Sequence, residues 1–245
     1  MNRQGLTALI IMELKKLTRQ PAHLFLSLLF PAILTLTFGF IFGDPELGMG
    51  FNVMVPGVIT YAVIFIIMTI AQSFSTERQE GLLKRMNTTP MTSLEFIASH
   101  IITNMTIAMI QVMIVFVIAV LLGFRPQSGV NGIIFALPVI ALFSLSSVGL
   151  GLITATVSKN PETATGLSFV FILPQMFLGT FIPITETTRP IAQFIPSYYV
   201  VDALTLIFRG AWTNTTLTVD VSVISLVSVI IIAVGVLLFE KFGNV

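Results

Sequence analysis

The amino-acid sequence predicts an all-α, polytopic membrane protein with six transmembrane helices. Hydrophobic residues make up 55% of the 245 residues, and charged residues make up 9%, whereas a soluble domain carries about 25% charged residues. A chain of this length cannot bury so much apolar surface in one aqueous core. The apolar residues also fall into runs long enough to cross a bilayer, and the segments between the runs are too short to form a soluble domain. Residues 1–245 are therefore predicted to form a single transmembrane domain.

The N-terminal segment, residues 6–20, is predicted to be an amphipathic helix lying at the membrane interface. Its leucine and isoleucine residues recur at helical spacing, and its basic residues lie largely on the opposite face. Glu13 is the exception, because it falls inside the apolar stripe. It either extends its carboxylate towards the membrane surface or pairs with a basic group of another segment, and the sequence leaves both alternatives open. The charged residues and the lack of a small-residue cleavage site argue against a cleaved signal peptide.

Six apolar runs follow, each close to or above the roughly 18 to 20 residues that a helix needs to cross the hydrocarbon core. They cover residues 24–42, 53–74, 97–122, 133–157, 167–184 and 221–239. The fourth run is rich in Ser and Gly, which suit contact between helices better than contact with lipid. The fifth run is interrupted by Pro174.

The densest charge cluster of the chain lies between the second and third runs, at residues 77–86. On a helical wheel its apolar side chains share one arc and its charged side chains fill the opposite arc, which predicts a short helix lying flat on the membrane surface. Two interpretations stay open: a solvated loop that only fixes the topology, or a contact surface through which a soluble partner moves the spans. The predicted contact residues are Glu77, Arg78, Glu80, Gly81, Leu82, Lys84 and Arg85.

The segment between the fifth and sixth runs is neither a span nor plainly soluble, because it mixes prolines, tyrosines, charged residues and the single Trp212 with apolar residues. Tyr and Trp favour the membrane interface. We expect two short helices within residues 190–211, at about residues 190–194 and 200–211, that lie at or dip into the outer leaflet.

The distribution of basic residues predicts the orientation of the chain. With six spans both termini lie on one side, and that side carries nine of the twelve Lys and Arg residues, against three on the other side. The positive-inside rule therefore places both termini and residues 77–86 in the cytoplasm and the chain in the cytoplasmic (inner) membrane.

Several classes of chemistry find no support in the sequence. The six predicted spans contain no Asp, Glu, Lys or Arg, whereas a secondary transporter normally needs such a group to bind its coupling ion. No P-loop is present, so this chain does not bind nucleotide through one. The absence of cysteine excludes a thiolate metal site, and no metal site is predicted.

An intramembrane enzyme is also disfavoured. His100 and Asn104 form a His-x-x-x-Asn pair at the head of the third run, but Glu77 and Glu80 are not adjacent, and a Gly-x-Ser-x-Gly nucleophile turn is missing. No catalytic residue is predicted, and interhelical hydrogen bonding is the default role for Asn104.

Three motifs, in their order along the chain, resemble the permease subunits of ABC type-2 exporters, the group that includes drug-resistance and polysaccharide-export permeases. They are Glu-Arg-x-x-Gly-x-x-Lys-Arg at residues 77–85, the proline-bounded segment at residues 174–183, and Ile-Pro-Ser-Tyr-Tyr-Val-Val-Asp-Ala-Leu at residues 195–204. Gly179 often corresponds to Ser in that family, and Thr205 stands at an arginine-like position. These departures leave the substrate class open.

The resemblance implies a cytoplasmic ATPase partner in two copies, which would bind ATP and Mg, and a second permease copy forming a homodimer. No cofactor bound by this chain, and no nucleic acid, is implied. The segment at residues 77–86 would be the coupling helix, and residues 6–17 would be the connecting helix. The implied outer gate residues are Pro183, Pro196, Tyr198, Asp202 and Arg209.

The transport path is predicted to run along the second and fifth spans. This prediction is based on the Pro174 interruption, the polar glutamines and the family's geometry. Its predicted lining residues are Thr69, Gln72, Phe171, Gln175 and Phe177. Uncharged, Phe-rich walls suit an apolar or amphipathic substrate such as a drug, a lipid or a lipid-linked glycan. Two alternatives stay open: the polar residues serve only helix packing, and the chain is a non-transporting scaffold or regulatory subunit.

Overall fold

A computed structural model describes residues 3–19, 21–42, 50–82, 93–181 and 185–242, and within these ranges the chain is helical and contains no strand. The all-α class is thereby confirmed. The helices in chain order are α1 Arg3–Arg19, α2 Pro21–Phe42, α3 Phe51–Ile64, α4 Ile66–Gln79, α5 Ser93–Leu121, α6 Gly129–Val157, α7 Pro161–Met176, α8 Arg189–Ala192, α9 Pro196–Phe208 and α10 Thr215–Phe242. A π-helical turn, Phe177–Phe181, directly follows α7.

Among the residues that the structure describes, four helical stretches are long and apolar enough to cross a membrane. They are Phe51–Gln79, Glu95–Leu121, Gly129–Val157 and Thr215–Phe242, which correspond to the second, third, fourth and sixth predicted spans. The first and fifth predicted spans fall on α2 and on α7 with its π-helical turn. The count of six spans therefore stays a prediction.

Several helices extend beyond the predicted spans, and two of these differences concern the second and the sixth span. The second span continues past Phe74 to Gln79, since α3 and α4 are separated by Phe65 alone. The last helix begins at Thr215 rather than at Val221, because the Asn214 side chain accepts a hydrogen bond from the Thr216 N–H at 2.9 Å and starts the helix early. Residue 220, which the sequence placed in the preceding segment, therefore belongs to α10.

The core is organised around α4 and α6. Helix α4 packs against α6 and α7, and α6 packs along α10. A Cβ atom added at Gly235 would lie 2.6 Å from the carbonyl oxygen of Gly149, and one added at Gly149 would lie 2.8 Å from the Cα atom of Ile232. The backbones of α6 and α10 therefore touch, which confirms that small residues of the fourth span serve contact between helices.

The contacts between helices also define the two ends of the bundle. The ends of α4 and α10 lie beside each other at one end, where the rings of Phe74 and Phe239 are 4.7 Å apart, and α1 packs against α5 at that end too. We call this the α1 end. At the opposite end, the Ser128 N–H before α6 donates to the carbonyl of Phe208, the last residue of α9, at 3.1 Å.

Candidate coupling surface and transport path

The predicted charge cluster begins inside α4 rather than in a separate helix. Glu77 and Arg78 belong to the last turn of α4, which ends at Gln79. The Glu80 N–H donates to the carbonyl of Thr76 at 2.9 Å, and Gly81 adopts a φ of 69°. This left-handed conformation favours glycine and ends the helix. The expectation that a separate flat helix begins at residue 77 is therefore wrong, because residues 77–79 belong to α4.

The remaining predicted contact residues divide into two groups. Glu80 is exposed, while Leu82 is half-buried and packs against the core. The side chains of Lys84 and Arg85 lie outside the described residues. Within the described part of residues 77–86, exposure is thus concentrated at the turn that directly follows α4.

Arg78 connects this turn to the next chain connection at the α1 end. Its Nη2 atom donates a hydrogen bond to the carbonyl oxygen of Ser158, which links α6 to α7. The Ser158 hydroxyl in turn donates to the carbonyl of Thr154 at 2.6 Å, inside the last turn of α6. A guanidinium that bonds a carbonyl in another connection fixes the position of α4 relative to both.

Glu77 points into the protein, and the expectation that it faces water is wrong. Its side chain is fully buried, and its Oε2 atom lies 3.1 Å from Nε2 of His100. The reason is helical periodicity, because Glu77 continues the buried stripe of Ile70 and Phe74 at spacings of four and three residues. A helical wheel that had started before residue 77 would have shown this.

Glu13 of α1 meets the same imidazole. Its Oε1 atom lies 3.4 Å from Nε2 of His100, and the residue is 5% exposed. Of the two alternatives left open by the sequence, the structure thus supports pairing with a basic group of another segment. We call these three side chains, which come from α1, α4 and α5, the Glu13–Glu77–His100 cluster.

The surroundings of this cluster are apolar. The ring of His100 lies 4.4 Å from the ring of Phe74 and 4.6 Å from that of Phe96, between ring centroids. Ser73 donates a hydrogen bond to the Oε1 atom of Glu77 at 3.4 Å. Because ionised groups removed from water need compensating partners, the three side chains depend on one another for their burial.

The cluster corrects the premise that the spans contain no acidic residue. Glu77 lies in the helical stretch Phe51–Gln79, which is long enough to span a membrane. The sequence alone does not reveal the cluster, because its three side chains belong to segments that are distant along the chain. Two signals were available in the sequence: the position of Glu13 inside an apolar stripe, and the place of Glu77 on the same helical face as Ile70 and Phe74.

The predicted path residues lie on α4 and on α7 with its π-helical turn, elements that pack against each other. Thr69 and Gln72 are half-buried on α4, and Gln175 on α7 is 3% exposed. At a rise of about 1.5 Å per residue, Gln72 lies roughly 10 Å from the end of α4, whereas Gln175 lies roughly 21 Å along α7 from Pro161. The two glutamines therefore occupy different depths, with Gln72 nearer the α1 end.

The two aromatic path residues differ in exposure. Phe171 is half-buried and packs against the core, whereas 47% of Phe177 is exposed. Whether these side chains line a path or only pack stays a prediction.

The predicted outer gate contains a pocket at the opposite end of the bundle. Its volume is about 340 Å³. It is lined by Gly179, Thr185, Glu186, Arg189, Tyr198, Val201, Asp202 and Thr205. The pocket lies between the π-helical turn and α9. The Ser197 hydroxyl of α9 donates to the carbonyl of Gln175, near the end of α7, at 2.9 Å.

This pocket carries charges of both signs. A hydrogen bond with Tyr198 raises the pKa of the exposed Arg189 guanidinium above its usual value, so Arg189 stays cationic. Asp202 brings a carboxylate to the same wall. Of the other predicted gate residues, Pro196 is the first residue of α9, Arg209 follows its last residue, and Pro183 lies outside the described residues.

Comparison with known proteins identifies a family. The model of the family described as ABC-2 type transporter matches residues 4–208. A daunorubicin-resistance ABC transporter permease protein, DrrB1 of Streptomyces coeruleorubidus, is 25% identical over 172 residues, which cover 68% of this chain and 60% of that protein. A probable multidrug ABC transporter permease, YbhS of Escherichia coli strain K12, is 24% identical over 193 residues, which cover 74% of this chain and 49% of YbhS. The chain thus aligns with about half to three fifths of these relatives.

Proposed function

Because the chain belongs to the ABC-2 type transporter family, we propose that it is the membrane-spanning permease subunit of an ATP-driven exporter. The observation that carries the proposal concerns the turn after α4. This turn is exposed at Glu80, while Glu77 and Arg78, which directly precede it, connect it to three other parts of the bundle. The sequence contains no P-loop, so a separate ATPase subunit supplies the nucleotide site.

The mechanical route follows from the contacts at the α1 end. A partner that pushes on the turn after α4 moves Arg78, and with it the connection between α6 and α7. The same push reaches α5 and α1 through Glu77, His100 and Glu13. Packed elements that share polar links move together, so one contact displaces several helices at once.

The proposed substrate is apolar or amphipathic, in the class of drugs, lipids and lipid-linked glycans. The names of the relatives refer to daunorubicin resistance and to multidrug transport. The walls formed by α4 and α7 present aromatic and amide side chains, which suit such a substrate. The Arg189 and Asp202 side chains of the outer pocket provide opposite charges where the substrate would leave.

The proposed assembly has two permease copies and two ATPase subunits in the inner membrane, with the termini and the α1 end in the cytoplasm. The distribution of basic residues supports this orientation. Helix α10 leaves much of its surface open to lipid or to a second copy, because only 17% of its most apolar stretch is buried within one chain.

We expect a change of Glu80→Arg to weaken the ATPase interaction without unfolding the protein, because Glu80 is exposed and its charge meets the partner. A loss of about tenfold in co-purified ATPase and in ATP-dependent transport by reconstituted vesicles is the expected size for one rim charge. The measurement is the ratio of ATPase to permease after purification from cells that express both, together with drug uptake into inverted vesicles.

The matched control is Thr213→Arg, which adds the same side chain at an exposed position between α9 and α10 at the opposite end. It should leave ATPase binding unchanged. If the co-expressed ATPase does not co-purify with the wild-type chain and ATP drives no transport of substrate, the chain is a scaffold or regulatory subunit instead.

Cysteine labelling tests the proposed path, since the chain has no native cysteine. We expect Gln72→Cys and Gln175→Cys to react with a water-soluble maleimide during ATP turnover, and substrate to slow both reactions. Leu226→Cys on α10 is the control, because Leu226 is 64% exposed on a span surface and should remain shielded by lipid. Glutamine positions that stay as unreactive as Leu226→Cys would indicate packing alone.

A further inference from the structure

We propose that the Glu13–Glu77–His100 cluster binds a divalent transition-metal ion, with zinc as the best-suited metal. The three side chains offer one imidazole nitrogen and two carboxylate oxygens, and these ligand atoms lie within 4.8 Å of one another. Imidazole and carboxylate are established ligands of Zn²⁺, and water commonly fills the fourth position of such a site.

The distances are compatible with ligands that share one metal ion. Nε2 of His100 lies 3.4 Å from Glu13 Oε1 and 3.1 Å from Glu77 Oε2. Metal–ligand bonds of about 2.0–2.1 Å at tetrahedral angles place neighbouring ligand atoms about 3.3 Å apart. Charge-assisted N–H···O hydrogen bonds are shorter, at about 2.7–2.9 Å.

The hydrogen-bonding capacity of histidine supports the same conclusion. Both carboxylates approach the same ring nitrogen, Nε2. That nitrogen carries at most one proton, which can form one good hydrogen bond. A cation placed between the three groups interacts with both carboxylates and with the nitrogen lone pair together.

The charge of the cluster and its hydrogen bond with Ser73 also suit a bound cation. With both carboxylates ionised, the three side chains carry a net negative charge whether or not the imidazole is protonated, and all three are buried, so a divalent cation reduces the cost of burial. The Ser73 hydroxyl bonds the other oxygen of Glu77, as partners of metal-binding carboxylates commonly do. Because the ligands come from α1, α4 and α5, a bound metal would fasten the N-terminal helix to the two spans.

Metal content of the purified protein tests this proposal without any transport assay. The protein carries an affinity tag without histidine, is equilibrated with Zn²⁺, and is freed of loose metal before mass spectrometry. We expect about one zinc per chain in the wild type, and a near-complete loss in the triple variant Glu13→Leu, Glu77→Leu, His100→Phe. His23→Gln, which changes the other histidine of the chain, should retain the metal.

Two further measurements make the result specific. Replacing zinc with Co²⁺ should give the visible absorption of tetrahedral cobalt in the wild type and not in the triple variant. Ser73→Ala should weaken zinc binding by about 10- to 100-fold. Equal zinc content in the wild type and the triple variant would overturn the proposal and leave the cluster as an ion pair. If the triple variant is not recovered, Glu13→Gln replaces it, and unchanged zinc affinity in that variant overturns the proposal equally.

Discussion

Replacing Gly149 or Gly235 with leucine is expected to separate α6 from α10 and to prevent recovery of a folded protein. A Cβ atom at either position would lie less than 3.0 Å from backbone atoms of the other helix, and backbone cannot move aside as a flexible side chain can. Overpacking a well-packed contact costs about 1–3 kcal/mol, and a leucine side chain between two touching backbones lies at or above the upper end of that range. The measurement is the yield of monodisperse protein and its thermal unfolding temperature in detergent.

The matched control is Gly166→Leu in α7. A Cβ atom at Gly166 meets nothing within 4 Å, so the substitution removes a helical glycine without a clash. It should leave the unfolding temperature unchanged or raise it slightly. If Gly149→Leu and Gly166→Leu behave alike, α6 and α10 do not touch as closely as the structure places them.

Removing one member of the Glu13–Glu77–His100 cluster is expected to destabilise the protein strongly. Glu77→Ala deletes a fully buried carboxylate and deprives His100 of its nearest acidic group, at 3.1 Å. Breaking a buried charged pair from one side typically costs about 3–5 kcal/mol. We therefore expect a large drop in the unfolding temperature and in the amount of protein in the membrane.

The triple variant Glu13→Leu, Glu77→Leu, His100→Phe separates stability from function. Apolar replacement of an entire buried charged group is often neutral or stabilising, and phenylalanine fits between the rings of Phe74 and Phe96 that now flank His100. This variant should be more stable than Glu77→Ala. A triple variant that transports as well as the wild type would show that the cluster serves folding alone.

The sequence predicted the parts of this fold that depend on local composition and period. The apolar runs that became Phe51–Gln79 and Gly129–Val157 exceed the length of a bilayer core, so no tertiary information was needed to find them. The Ser- and Gly-rich fourth run predicted a close helix contact for the same reason, although only the structure shows that Gly235 of α10 is the partner.

What could not be predicted depends on contacts between distant segments. Glu77 and Glu13 are strongly polar, and a wheel confined to residues 77–86 places Glu77 towards water. Glu77 can be buried only because α1, α4 and α5 meet at His100. The start of α10 at Thr215 likewise coincides with a side-chain cap at Asn214, which a search for apolar runs does not detect.

The π-helical turn Phe177–Phe181 has a consequence for how related chains can vary. A π-helical turn accommodates one residue more than the α-helix around it, and the turn lies between α7 and the outer pocket. Losing a single residue there would return the backbone to regular α-helical phase and leave the packing of α7 upstream untouched. Insertions and deletions accumulated in this segment would therefore rotate the side chains that line the pocket, while the packing at the α1 end of the bundle stayed the same.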